Sequence, residues 1–227
     1  MKTFFCLFLA LTAAVSMAQA KPSKAAVKFL TRLDSTEAIL REFQEKPETA
    51  IPAEVLKNAR GFVIVNQVKA GAVIGLQEGY ASIIVKKADN TWSIPVLLRA
   101  GEASLGLQLG ASRYEAIYVL MNDDAVRLIF KGRTNLGIDA KAVAGPRVAD
   151  KEAWNRELLK TPVLVYTKEK GLYAGTTVKT GYLSRNDAIN RNYYQVLYDL
   201  PELLYGDFVT PPESVNYLRN YVAEITR

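Results

Sequence analysis

The chain carries no histidine and a single cysteine in 227 residues, and its first sixty residues hold no glycine. Each shortage excludes something. Without imidazole there is no Ser-His-Asp triad, no Cys-His nucleophile–base pair and none of the usual His/Cys zinc sites. Carboxylate chemistry, a Ser-Lys dyad or no catalysis at all are what remain, and neither a metal nor another cofactor is expected. With Cys6 alone no internal disulfide can form, so packing must hold the fold. No apolar run reaches the roughly 20 residues of a membrane-spanning helix. There is also no dense Lys/Arg cluster of the kind nucleic-acid binders carry, and nucleic acid is not an expected partner.

What is present begins with a leader-like segment. Lys2 supplies a positive start, Phe4 to Val15 an apolar stretch, and Ala18-Gln19-Ala20 a small-x-small cleavage site. Residues 1–20 are therefore expected to be a signal peptide cleaved after Ala20, which makes the mature protein periplasmic or secreted, without a transmembrane segment. Removing them leaves 207 of the 227 residues, with neither cysteine nor histidine. The balance is then 28 basic against 23 acidic residues, a formal charge of +5. That mild excess favours anionic partners such as a phospholipid surface.

Glycine divides the remainder. All 14 glycines lie between Gly61 and Gly206, 13 of them by Gly181, and glycine costs about 1 kcal/mol inside a helix. The expected plan is one domain over 21–227: a helical arm (21–60), a β body (61–184) and a helical tail (185–227). In the arm, Ala26, Phe29, Leu30, Leu33, Ile39, Leu40 and Phe43 form one amphipathic stripe. Ser35 with Thr36 could cap a second helix there, so one long helix or two short ones fit equally. Such a stripe more often packs on a core than lies on a membrane. Pro52 opens a short helix that stops at Gly61. Strands are expected at Gly61–Val65, Tyr80–Lys87, Trp92–Leu98, Ser104–Gly110, Glu115–Met121, Ala140–Ala144, Val163–Tyr166 and Leu172–Lys179. Helices follow at Asp123–Lys131, Asn186–Leu197 and Pro212–Ile225. The class is α+β, with an antiparallel, strongly curved or barrel-like β body. Gly71, Gly75 and Gly79 share one strand face, as do Gly106 and Gly110, which suits close packing or barrel curvature. None of these spacings makes a phosphate loop.

Several segments in order resemble the SYLF-domain family, over about residues 24 to 205. They run from Ile51-Pro52 through Ala59-Arg60-Gly61-Phe62 to Val68-Lys69-Ala70-Gly71 and Trp92-Ser93-Ile94-Pro95. Leu107-Gln108-Leu109-Gly110-Ala111, Val119-Leu120-Met121-Asn122 and Leu136-Gly137-Ile138-Asp139-Ala140 follow. Ala144-Gly145-Pro146, Tyr166 and Lys170-Gly171-Leu172-Tyr173-Ala174-Gly175 complete the set. The chain departs from the pattern at Gly75-Leu76-Gln77-Glu78-Gly79 and at Arg147. The resemblance implies phospholipid binding; the actin regulation of eukaryotic members does not suit an exported protein of bacterial appearance.

The main reading is therefore a non-enzymatic lipid-binding protein of the bacterial cell envelope, with no catalytic residues. Candidate head-group ligands are Lys24, Lys28 and Arg32 on the arm, and Lys69, Lys131 and Arg133 beside the glycine turns. Taken singly, each is more often a solvated surface charge, and only clustering in space would change that. A carboxylate-based hydrolase is the alternative, with Glu78, Glu102 and Asp139 near glycines, but Asp139 better suits a structural acceptor closing a turn. Ser93 has no lysine at dyad spacing. An envelope scaffold using Tyr193, Tyr194, Tyr198, Tyr205, Tyr217 and Tyr221 is a third reading, although such tyrosines more often pack.

Overall fold

Ser23 accepts from the Ala26 amide at 3.1 Å and so opens α1 (Lys24–Glu45), a single unbroken helix. The computed structural model describes residues 23–69, 79–101, 112–150, 156–168 and 181–227. Ser35 and Thr36 do not start a second helix. Their hydroxyls donate back to the Thr31 and Leu33 carbonyls at 2.9 and 2.8 Å, which lets the helix continue through them. The apolar stripe is buried at Phe29, Leu33, Ile39, Leu40 and Phe43, so the arm packs as part of the core. Each such side chain contributes roughly 1.5–3 kcal/mol by leaving water. Between them Thr36 accepts from Ser82 at 2.9 Å, which pins the helix to the sheet through a satisfied buried hydroxyl pair.

The sheet holds eight strands among the described residues, in the order β5-β8-β3-β2-β1-β4-β7-β6, curled into a half-barrel. They are β1 (Gly61–Lys69), β2 (Gly79–Val85), β3 (Val96–Gly101), β4 (Ser112–Leu120), β5 (Arg133–Thr134), β6 (Val143–Ala144), β7 (Val163–Thr167) and β8 (Tyr182–Arg185). All pairs are antiparallel except β6 with β7. β1 and β2 are central and nearly all apolar, as strands covered on both faces are. The remaining helices are α2 (Ala53–Asn58), α3 (Asp123–Leu128), α4 (Leu136–Asp139), α5 (Asp187–Tyr194), α6 (Leu200–Tyr205) and α7 (Glu213–Ile225). α1 packs on β1, β2, α5 and α7, and the Phe29 ring stacks on Tyr193 at 3.8 Å.

β5 and β8 were not expected from the sequence, and three further elements differ from it. The strand expected from Trp92 begins only at Val96: Trp92 keeps a single bridge to Lys86, then Pro95 removes a ladder donor. Over Ala140–Ala144 only Val143–Ala144 is extended, because Asn135 caps a helical turn just before it. α6 carries a full capping box, Asp199 with Glu202, that hydrophobic periodicity alone did not pick out. The strands expected at Ser104–Gly110 and Leu172–Lys179 lie outside the described residues, as do Gly71, Gly75, Gly106 and Gly110. Gly79 lies inside β2, where a side chain would collide with Gln67 and the Ala100 carbonyl, so close packing is its role.

Candidate functional site

Register fixes which side chains share a face, since residues directly opposite in antiparallel strands point to the same side. One such row crosses six strands: Arg133, Ser184, Arg99, Tyr80, Asn66 and Glu115. It lies on the α1 face, because Tyr80 is two residues from Ser82, which bonds Thr36. It also lies near the end of the sheet where β1 stops and β2 starts.

From α1, the Arg32 guanidinium sits over the Tyr80 ring, 4.9 Å from its centroid. From β5, that of Arg133 sits over Tyr182 at 3.7 Å. Tyr182 can lie there because its register partner is Gly101, where any side chain would strike the ring. A guanidinium held over a ring face keeps N–H groups for an anion, and each such cation–π contact contributes about 0.5–1 kcal/mol at an exposed site. Arg99 stands between them, exposed. Strand spacing puts the Arg99 and Arg133 backbones about 10 Å apart. Arg32, Arg99 and Arg133 have no carboxylate partner among the described residues.

The far side of the row is neutralised. Glu115 is buried and binds the Lys168 ammonium, which Glu42 of α1 also meets at 2.7 Å. Burial alone would lower the Lys168 pKa, but the hydrogen bonds to Glu115 and Glu42 outweigh it and raise it. Positive charge is therefore available on the β5–β3–β2 side and cancelled on the β4–β7 side.

The other sheet face holds only a small, half-open hollow of about 10 Å³, walled by Val65, Ala100, Leu136 and Leu183, with the Tyr114 and Tyr118 hydroxyls 3.2 Å apart. Gln67 lines it, 3% exposed. The hollow has room for about one water, against roughly 300–1,000 Å³ for a drug-sized ligand, so it does not hold a lipid.

Arg32 and Arg133, both expected from the sequence, thus lie on one sheet face, over Tyr80 and Tyr182, with Arg99 between them in register. Lys24 and Lys28 are exposed on α1, on the flank that leads to Arg32 at four-residue steps. Lys131 is exposed on the 3₁₀ turn 129–131 before β5. Lys69 ends β1 opposite Ser112, and its side chain lies outside the described residues. Arg99 and Lys141 were not singled out, although Arg99 is the one charge in the apolar run Val96 to Ala100. Glu78 and Glu102 lie outside the described residues. Asp139 accepts from the Asn135 amide at 2.7 Å, closing a turn. The Ser93 hydroxyl is buried, donating to Ile94 and accepting from the Val85 amide. No helix among the described residues is long and apolar enough to cross a membrane.

A family model described as "Ysc84: Las17-binding protein actin regulator" matches residues 101–225. SH3 domain-containing YSC84-like protein 1 of Bos taurus is 28% identical over 182 residues, 78% of this chain and 53% of its own length. Protein YSC84 of Saccharomyces cerevisiae is 30% identical over 175 residues, 76% of this chain and 37% of its own. For the SH3 domain-containing protein PJ696.02 of Schizosaccharomyces pombe the identity is 30% over 181 residues, 76% and 42%. The chain spans about half or less of the length of these curated relatives.

Proposed function

The chain belongs to the Ysc84 (SYLF) family, and from that premise we propose that it is an exported, non-enzymatic protein of the bacterial cell envelope that binds anionic phospholipid head groups. One observation carries the reading: Arg99 and Arg133 share one row, Arg32 lies over that row's Tyr80 and Arg133 over Tyr182, and none of the three has a carboxylate partner among the described residues. Phosphate oxygens match a guanidinium fork, and each cation near an anionic surface contributes about 1 kcal/mol. Lys24, Lys28, Lys131 and Lys69 would add longer-range attraction.

The test is co-sedimentation with phosphatidylglycerol-containing and purely phosphatidylcholine vesicles at low and high salt. Binding to the anionic vesicles alone, lost at high salt, is the expected result. Equal indifference to both vesicle types sinks the reading.

A protein-binding module is the second reading. It draws on the names of the relatives and on the exposed Leu197 and Phe208 in the segment 197–208. Phe208→Ser would then weaken capture of a partner while leaving vesicle binding unchanged.

A further inference from the structure

α4 is one turn long, and its backbone is fixed from both ends. Asn135 Oδ1 accepts from the Ile138 amide at 3.2 Å, and Asp139 Oδ2 accepts from the Asn135 amide. Leu136 and Gly137 are buried, Leu136 in the wall of the hollow. With the turn held this way, the Ile138 side chain projects outward and is 76% exposed.

A lone exposed aliphatic residue is ordinary; its company here is not. Lys131 and Arg133 precede the turn and Lys141 follows it, all exposed and with no carboxylate partner among the described residues. Asp139, the acid within the turn, engages the Asn135 amide. Lys141 holds φ +50°, the left-handed region that glycine and asparagine favour, so a cation is kept where the backbone disfavours it. An apolar tip with a cationic collar matches the layering of an anionic bilayer, with phosphates outside and hydrocarbon beneath. α1 repeats the composition, with exposed Val27 between Lys24 and Lys28.

We propose that Ile138 is a membrane-insertion tip, which α4 drives below the phosphate layer of an anionic bilayer while Arg133 and Lys141 meet the head groups. The proposal rests on the lipid-binding reading and adds a hydrocarbon contact that head-group recognition does not require.

Two variants test it against phosphatidylglycerol-containing vesicles at fixed salt. Ile138→Ser should bind roughly tenfold more weakly than the wild type, with an unchanged melting temperature. Ile138→Trp should gain tryptophan emission that bromine-labelled acyl chains quench beyond the wild-type signal. If the wild type binds but the serine variant binds equally, or the added tryptophan escapes quenching, insertion is wrong and head-group binding stands. If the wild type ignores anionic vesicles, both fall. Should Ile138→Ser instead dissolve a wild-type dimer in sedimentation equilibrium without touching vesicle binding, the tip faces a second copy, and insertion is overturned.

Discussion

The two ends of the sheet treat charge in opposite ways. At the end where β1 stops and β2 starts, Arg32, Arg99 and Arg133 have no carboxylate partner among the described residues and rest on or beside aromatic rings. At the end where β1 starts, three cations are matched to acids, Arg60 to Asp123 at 3.1 Å, Lys87 to Asp207 and Arg127 to Asp124 at 3.1 Å, while Lys86 lies over the Trp92 ring. That second end also carries apolar surface, Phe208 at 63% and Leu197 at 87% exposure, with Tyr198 against Phe208 and Tyr205 against Phe130. Exposed ion pairs contribute little to stability, so leaving these three arginines without a carboxylate partner among the described residues does not weaken the fold. It leaves an uncompensated field, which suits an anionic partner, whereas the neutralised aromatic end suits a protein.

The largest expected effect tests that division directly. Charge reversal of Arg32, Arg99 and Arg133 together should lower affinity for anionic vesicles by about a hundredfold or more in co-sedimentation. Reversal of Arg60 and Arg127 should leave it within about twofold; equal losses would erase the contrast between the ends. Next, Gly101→Ala should cost about 1–3 kcal/mol in denaturant unfolding, because the new methyl displaces the Tyr182 ring. The same variant should weaken vesicle binding severalfold, since Arg133 loses its platform. Asn122 caps α3 at the opposite end, accepting from the Ala125 amide at 2.8 Å. Asn122→Ala should cost about 1 kcal/mol of stability and nothing in vesicle affinity.

The smallest effect concerns pH. The folded Lys168 pKa is raised above its ordinary 10.5, so its stabilisation is complete below that value and is lost as pH climbs through the folded pKa. Melting temperature should therefore change little on this account from pH 7 to about 9 and fall above about 10.5. Lys168→Met should remove that alkaline step. With no histidine in the chain, vesicle affinity should stay level between about pH 6 and 9.

Much of the fold was readable because its signals are local. The α1 stripe and the β-branched runs of β1, β2 and β7 each declare themselves within a dozen residues. β5, β6 and β8 are too short for a period to show, and only neighbouring strands make them strands. The site was half legible. Arg32 and Arg133 stood out as cations, but their convergence depends on the β5–β8–β3–β2 register, which joins residues 32, 99, 133 and 184. Sequence spacing carries no trace of that. Arg99 was passed over because a single charge inside an apolar strand reads as a solvent-facing break in the pattern.

Strand order has a consequence for how the polypeptide can be cut. β1 and β2 occupy the middle of the sheet, yet both precede the matched stretch 101–225. A fragment limited to that stretch would retain two flanks with nothing between them, and Tyr193 would lose the Phe29 ring it stacks on. α1 therefore completes its packing only once α5 and α7, far later in the sequence, have been synthesised.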